Sequence, residues 1–224
     1  MKYVVSVLFL FNLLVFGAGC TNADIEDSDK SESDIGESKK ALSEDDTFVF
    51  PDDPPPEPGD YRTGKYRTVV PLTLKGARVV DDKAAMELYQ KKETLFIDVM
   101  PHVPKPPNLP KGMIFREKPR SNIPGSHWLA NVGYGRLPKE MDEFFRENLK
   151  TLTGNNNDKP LLFYCQKDCW MSWNAAKRAL EYGYTKVFWY PVGTDGWVTI
   201  GGKIERAKPV PLPQLTRALK KSTK

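Results

Sequence analysis

Residues 160–176 read Pro160-Leu-Leu-Phe-Tyr-Cys165-Gln-Lys-Asp-Cys169-Trp-Met-Ser-Trp-Asn-Ala-Ala176, and the fold turns on them. Leu161 to Tyr164 form a short, unbroken apolar run, preceded by the polar turn Asn155 to Lys159. A run of that length bounded by turn residues predicts a strand buried on both faces. Cys165 ends it. From Ser172 to Tyr182 the pattern is helical, with Ala175, Ala176, Ala179 and Leu180 on the inner face and Gly183 as the stop. The order is therefore strand, cysteine, loop, helix.

Outward from there the same alternation repeats. Thr94-Leu-Phe-Ile-Asp-Val99 and Lys186-Val-Phe-Trp-Tyr190 read as two further buried strands. Lys83 to Gln90, introduced by Asp81-Asp82, predicts a helix. Leu137 to Leu149 predicts another, with Met141, Phe144, Phe145 and Leu149 at helical spacing. Pro101 to Pro119 is irregular. Strands alternating with helices imply an α/β protein built on an open, mostly parallel sheet flanked by helices. The expected domain is single and runs from 61 to 224.

Composition agrees. Forty per cent of the 224 residues are apolar and 11% aromatic, enough for one ordinary core. Three cysteines and two histidines exclude a disulfide-dense scaffold and a four-ligand Cys/His zinc site. His102 and His127 stand apart in sequence, so no metal is expected.

The net charge of +4 hides an asymmetry. Residues 21–60 carry fourteen acidic side chains against three lysines, while 61–224 carry 29 basic against 15 acidic. The first segment also ends Pro51-Asp-Asp-Pro-Pro-Pro-Glu-Pro58, and lacks the apolar periodicity that offsets ordering entropy. It reads as a disordered, extended tether. The Lys-rich tail from Lys208 to Lys224 reads as a solvated helix face and chain end.

Ahead of the tether, Met1-Lys2 is followed by the apolar run Val4 to Phe16 and then Gly17-Ala18-Gly19-Cys20. The run is too short to span a membrane and reads as a signal peptide over 1–20. Small residues before Cys20 resemble a lipobox, in which Cys20 is lipidated; plain cleavage with Cys20 incidental is the alternative. Both predict export. The expectation is a periplasmic, membrane-anchored lipoprotein with no nucleic-acid partner.

The chemistry is expected at Cys165. A cysteine at the carboxyl end of a parallel strand lies where open α/β sheets bind ligands. The helix beginning near Ser172 turns its free N–H groups toward the loop, which predicts a lowered thiol pKa and a nucleophile at Cys165. An inert, packed cysteine is the alternative. Aspartate 98 ends its strand and either orients this loop or caps a neighbouring helix, the second reading being preferred. Trp170, Trp173, Trp189 and Trp197 either line a pocket for a flat ligand or serve as core. Asp195-Gly196 reads as a turn.

At this point the chain resembles a family. Leu95-Phe-Ile-Asp-Val99, Asn122-Ile-Pro-Gly-Ser126, Phe163-Tyr-Cys165 and Gly183-Tyr-x-x-Val187 are similar to the motifs of rhodanese-like domains. More narrowly, Cys165-Gln-Lys-Asp-Cys-Trp-Met-Ser-Trp-Asn-Ala-Ala176 with Trp189-Tyr-Pro-Val-Gly-Thr-Asp-Gly-Trp197 resembles the PQQ-dependent catabolism-associated CXXCW motif proteins. Here three residues separate the cysteines, where the family name implies two. The first resemblance implies a rhodanese-like open sheet and a sulfur-accepting Cys165, cradled by Gln166, Lys167, Asp168, Trp170, Met171 and Ser172. Asp98, Trp173 and Trp197 would support that loop. The second implies a link to a quinoprotein system partner.

The loop departs from the rhodanese pattern, lacking its Arg and Gly and carrying Lys167 as its only cation. That departure weighs against thiosulfate as donor, because Arg suits bidentate anion recognition. Cys169 either resolves a Cys165 persulfide or packs at the helix start.

Three functions follow. The first is sulfane-sulfur transfer through a Cys165 persulfide between a sulfur donor and an acceptor, without a cofactor. The second is thiol–disulfide exchange by Cys165 and Cys169. The third is non-catalytic binding through a Trp-lined face. A phosphatase would need an anion-clamping Arg that the loop lacks.

Overall fold

A computed structural model describes residues 53–211, except 104 and 107. The signal peptide with Cys20, the tether up to residue 52 and the tail beyond 211 lie outside the described residues.

Strand β1 is Arg78–Val79, followed by helix α1, Asp82–Lys91. The Asp81 carboxylate caps α1 by accepting from the Ala84 N–H at 2.8 Å, as the acidic start predicted. Strand β2 is Leu95–Asp98, β3 is Arg120–Asn122 and β4 is His127–Trp128. Helix α2 runs Lys139–Thr153 and ends at Gly154 in the left-handed region, φ 62°. Then come β5 (Leu161–Tyr164), α3 (Trp170–Glu181), β6 (Val187–Tyr190), α4 (Gly193–Thr199) and β7 (Glu205–Ala207).

Five strands form one sheet in the order β1-β6-β5-β2-β4, every pair parallel, so the expected α/β architecture holds. β5 is central, paired with β2 through Leu162↔Phe96 and with β6 through Leu162↔Phe188. The pleat sends alternate side chains to opposite faces. Leu161, Phe163 and Cys165 enter the core built with α2 and α3, while Leu162 and Tyr164 enter the core built with α1 and α4.

Several elements differ from the sequence reading. α3 begins at Trp170, two residues before the expected Ser172, because Trp170 and Met171 are themselves buried and helical. Asp195-Gly196 is a stretch of α4 and not a turn. β7 pairs antiparallel with β3 through Ser121↔Arg206, a small sheet that sequence periodicity did not show. The last residues assigned to the tether are held to the body: the Glu57 carboxylate accepts from Thr73 Oγ1 at 2.6 Å and from the Lys75 N–H at 2.7 Å. Among the described residues no helix is long and apolar enough to cross a membrane.

Candidate functional site

Four structural elements converge on Cys165. Its carbonyl accepts from Arg120 Nη2 at 2.8 Å, from the Thr194 N–H at 3.2 Å and from Thr194 Oγ1 at 3.3 Å. Gly193 permits this approach of α4. A Cβ there would stand 2.6 Å from the Cys165 carbonyl oxygen, and its φ of +52° is left-handed. The Cys165 side chain is fully buried, with Sγ 3.4 Å from Met100 Sδ.

The loop after Cys165 is anchored on both sides. Gln166 makes an isolated bridge to Gly193, and the Lys167 N–H donates to Asp195 Oδ2 at 3.1 Å. From the other side Arg67 Nη1 donates to the Lys167 carbonyl at 2.9 Å. In the amide orientation that satisfies both groups, the Gln166 side-chain oxygen accepts from the same guanidinium. Asp168 takes a left-handed conformation, φ 53°, which turns the chain into α3. Lys167 is exposed, but Cys169 beneath it is only 1% accessible. Residues 166–168, half-buried except for the exposed Lys167, thus form a lip over two buried thiols.

Cys169 is the residue on which α3 starts, and its backbone bridges to Arg67. The Ser172 hydroxyl donates to the Cys169 carbonyl at 3.0 Å and accepts from Trp189 Nε1 at 3.0 Å, pinning the first helical turn. Both cysteines are free thiols.

Their acidities invert the sequence expectation. The Cys165 thiol is pushed well above the ordinary thiol value, by burial first, then by the neighbouring Cys169 sulfur through hydrogen bonding and charge, then by the Asp98 charge. Cys169 is pulled down to about 7: the bond from Cys165 leads, opposed by burial and helped by the Met171 and Gln166 N–H groups and the Arg67 charge. The Met171 amide faces the sulfur without closing a cap hydrogen bond. The helix start thus favours a thiolate, as expected, but at the cysteine that heads the helix.

Asp98 neither caps a helix nor stands apart. Its carboxylate is fully buried and takes Arg120 Nε on Oδ2 at 2.8 Å and the Met100 N–H on Oδ1 at 3.0 Å. Through Arg120 it orients the Cys165 carbonyl, which is the reading of Asp98 that the sequence ranked second. Lys167 is the only Lys or Arg within the loop itself, but Arg67 and Arg120 reach the loop from distant segments. Sequence reading missed both. Arg120 lies two residues before the Asn122-Ile-Pro-Gly turn, but nothing in its spacing ties it to Cys165. Met100 and Thr194 were missed for the same reason.

The four tryptophans do not line one pocket. Trp170, Trp173 and Trp189 lie in the α2/α3 core and Trp197 in the α1/α4 core, all within 2% of full burial. No Trp-lined face exists among them. His102 is not isolated either, standing 3.5 Å from Glu117 and edge-on to Trp128. Among the described residues no three His, Cys, Asp or Glu side chains gather as metal ligands.

A family model described as "Rhodanese-like domain" matches residues 81–200. No curated protein matches the chain. Among solved structures, the polysulfide-sulfur transferase homodimer from Wolinella succinogenes is 19% identical, with 58% of this chain and 79% of that one covered and a TM-score of 0.37. A protein of unknown function from Rhodopseudomonas palustris, described as a possible tyrosine phosphatase, is 22% identical, covering 58% and 85% with a TM-score of 0.39. An uncharacterised protein from Saccharomyces cerevisiae is 19% identical, covering 56% and 93% with a TM-score of 0.34.

Proposed function

The chain belongs to the rhodanese-like domain family, and from that premise we propose that it is a sulfurtransferase-type protein that carries sulfane sulfur on Cys165 with Cys169 as its acid–base and resolving partner. The observation that carries this reading is the placement of the pair: Cys165 ends the central strand with Sγ 3.4 Å from Met100 Sδ, and Cys169 lies buried at the head of α3, where its surroundings favour the thiolate. A low-pKa thiolate is a weaker nucleophile than a high-pKa one of equal access. Cys169, acidified by the Cys165 thiol, the Met171 and Gln166 N–H groups and the Arg67 charge, is the sulfur that stands deprotonated near neutral pH and is therefore the group able to receive the proton. Cys165, once its proton passes to Cys169, is the stronger attacking sulfur.

The step balances without a cofactor. Cys165 Sγ attacks the outer sulfur of a donor such as a polysulfide, its proton moves to the Cys169 thiolate, and the rest of the donor leaves as its anion. Cys165 then carries a persulfide anion. An external nucleophile takes the outer sulfur and returns the Cys165 thiolate. Alternatively Cys169 attacks the inner sulfur, forming the Cys165–Cys169 disulfide and releasing hydrosulfide. Because both sulfurs are buried, either path waits on the lip 166–168 lifting.

The second reading, thiol–disulfide exchange by the pair, draws on the same two buried free cysteines four residues apart. Mass analysis after exposure to a sulfane-sulfur donor separates the two: sulfur transfer adds one sulfur atom to the reduced chain, whereas exchange alone yields only the disulfide.

The proposal includes a setting. The apolar run 4–16 ending at Cys20 supports export and lipid anchoring in the periplasm. The resemblance to PQQ-associated CXXCW proteins supports a role beside a quinoprotein alcohol-oxidation system. Fatty-acid labelling tests the anchor: loss of label and of membrane association in Cys20→Ala is expected, and unchanged label would reject it.

A further inference from the structure

We propose that Cys165, Cys169 and Met100 form a binding site for a single soft monovalent metal ion, Cu(I), held by two thiolates and one thioether. This goes beyond sulfur transfer and does not depend on it. Three sulfur atoms from three separate elements meet under the lip. Met100 Sδ is 3.4 Å from Cys165 Sγ, and Cys169, four residues on at the head of α3, is buried in the same core cluster, against which Met100 packs.

Softness decides the metal. Thiolate and thioether ligands suit Cu(I), zinc and iron–sulfur clusters, but zinc takes four ligands in a tetrahedron, and three sulfurs, one of them a neutral thioether, match the lower coordination number of Cu(I). Among the described residues no His, Asp or Glu joins the two cysteines in a ligand-sized cluster. A site offering only sulfur therefore favours the ion with the softest demand and the lowest coordination number.

The size fits. Metal–sulfur bonds of about 2.3 Å in a trigonal plane place ligand sulfurs about 4 Å apart. From the observed 3.4 Å, the Met100 and Cys165 sulfurs would separate by roughly half an ångström, within reach of side-chain rotation.

Each ligand is also fixed from behind. The Met100 N–H donates to Asp98, and its carbonyl accepts from Trp128 Nε1 at 2.7 Å. Cys165 is held through its carbonyl by Arg120 and Thr194, and Cys169 by its bridge to Arg67. A prearranged set of this kind lowers the ordering cost of binding. Two thiolates around Cu(I) leave one negative charge, beside which stand Arg120, paired with Asp98 and bonded to the Cys165 carbonyl, and Arg67, which bridges to Cys169. Binding displaces the remaining thiol proton and involves no change of oxidation state: Cu(I) plus one thiol and one thiolate gives the bis-thiolate complex and a proton.

The test uses the full chain carrying Cys20→Ser, reduced and kept anaerobic, titrated with Cu(I) against a chromogenic Cu(I) chelator. One ion per chain is expected. X-ray absorption should show three sulfur neighbours, falling to two in Met100→Leu with affinity weaker on the order of tenfold. Cys165→Ser or Cys169→Ser should lose the tight ion. Unchanged affinity and sulfur count in Met100→Leu would overturn the proposal, as would a wild type that binds no more tightly than Cys165→Ser. Folding of each variant is checked by near-ultraviolet circular dichroism, and Met100→Gln serves if Met100→Leu is misfolded. Tight Cu(I) binding by a chain that never takes up sulfur would reject the sulfurtransferase reading alone; the reverse result would reject this one alone.

Discussion

The Arg120 guanidinium meets the Asp98 carboxylate at 2.8 Å from Nε to Oδ2, with the Asp98 side chain wholly buried and that of Arg120 at 10% exposure. The same guanidinium reaches from that carboxylate to the Cys165 carbonyl, so one buried ion pair sets the position of Cys165. Removing one partner leaves the other charge buried and unpaired. Asp98→Ala should cost about 3–5 kcal/mol in urea unfolding. The paired replacement Asp98→Leu with Arg120→Met should cost less than the sum of the single changes. A loss below about 1 kcal/mol for Asp98→Ala would show that the pair does not hold the site.

Asn174 fixes the segment that delivers Arg67. Its Nδ2 donates to the Arg62 carbonyl at 2.9 Å and the Gly133 carbonyl at 2.8 Å, and its Oδ1 accepts from the Arg62 N–H at 3.0 Å. Asn174→Ala should destabilise the domain by about 2–3 kcal/mol, since one buried and two part-buried groups lose their bonds together. Amide exchange should quicken first at residues 61–68. Exchange that is unchanged there would contradict this placement.

The parallel core was legible because β2, β5 and β6 each present a continuous apolar run, and α1 and α2 a clear cap or periodicity. Cys165 was legible as the residue after the central strand. What the sequence did not show is long-range. Arg67, Met100 and Arg120 are far from Cys165 in sequence and carry no pattern of their own. The start of α3 was misjudged because Trp170 and Met171 read as loop residues, and this moved the helix's influence from Cys169 to Cys165. The tryptophan cluster looked contiguous along the chain, yet the sheet divides it, with Trp197 on the face opposite Trp189.

Cys169 sets a pH dependence. Its thiol is lowered from 9.0 to about 7, so between those values the unfolded chain binds a proton that the folded chain has released. Stability of the reduced protein should therefore rise as pH goes from 7 to 9, and be lost as pH falls through about 7. Cys165 is shifted upward, so its opposing contribution begins only above 9.0. Thiolate absorbance should show one group titrating near 7. Cys169→Ser should flatten the stability profile in that window, and a slope that survives the substitution would contradict the assignment.

Glu57 joins the Pro-rich stretch to the body through Thr73 and Lys75. Limited proteolysis should leave a fragment that begins at or before Asp53, not near Tyr61. Glu57→Ala should move the cut toward Tyr61 at a cost of about 1 kcal/mol or less, because these bonds are exposed. A wild-type fragment starting at Tyr61 would show that residues 53–60 are not part of the folded body.

The central claim is that Cys165 carries the sulfur and Cys169 takes its proton and later resolves it. The measurement is intact mass and peptide mapping of the reduced Cys20→Ser chain and its Cys165→Ser and Cys169→Ser variants, each exposed anaerobically to polysulfide across a range of pH. The account predicts one added sulfur on Cys165 in the parent chain, followed by conversion to the disulfide. It predicts no added sulfur in Cys165→Ser. In Cys169→Ser it predicts slower uptake that needs higher pH, and a persulfide that persists. Sulfur gained by Cys165→Ser but not by Cys169→Ser would contradict the assignment, and no sulfur on any of the three would contradict sulfur transfer itself.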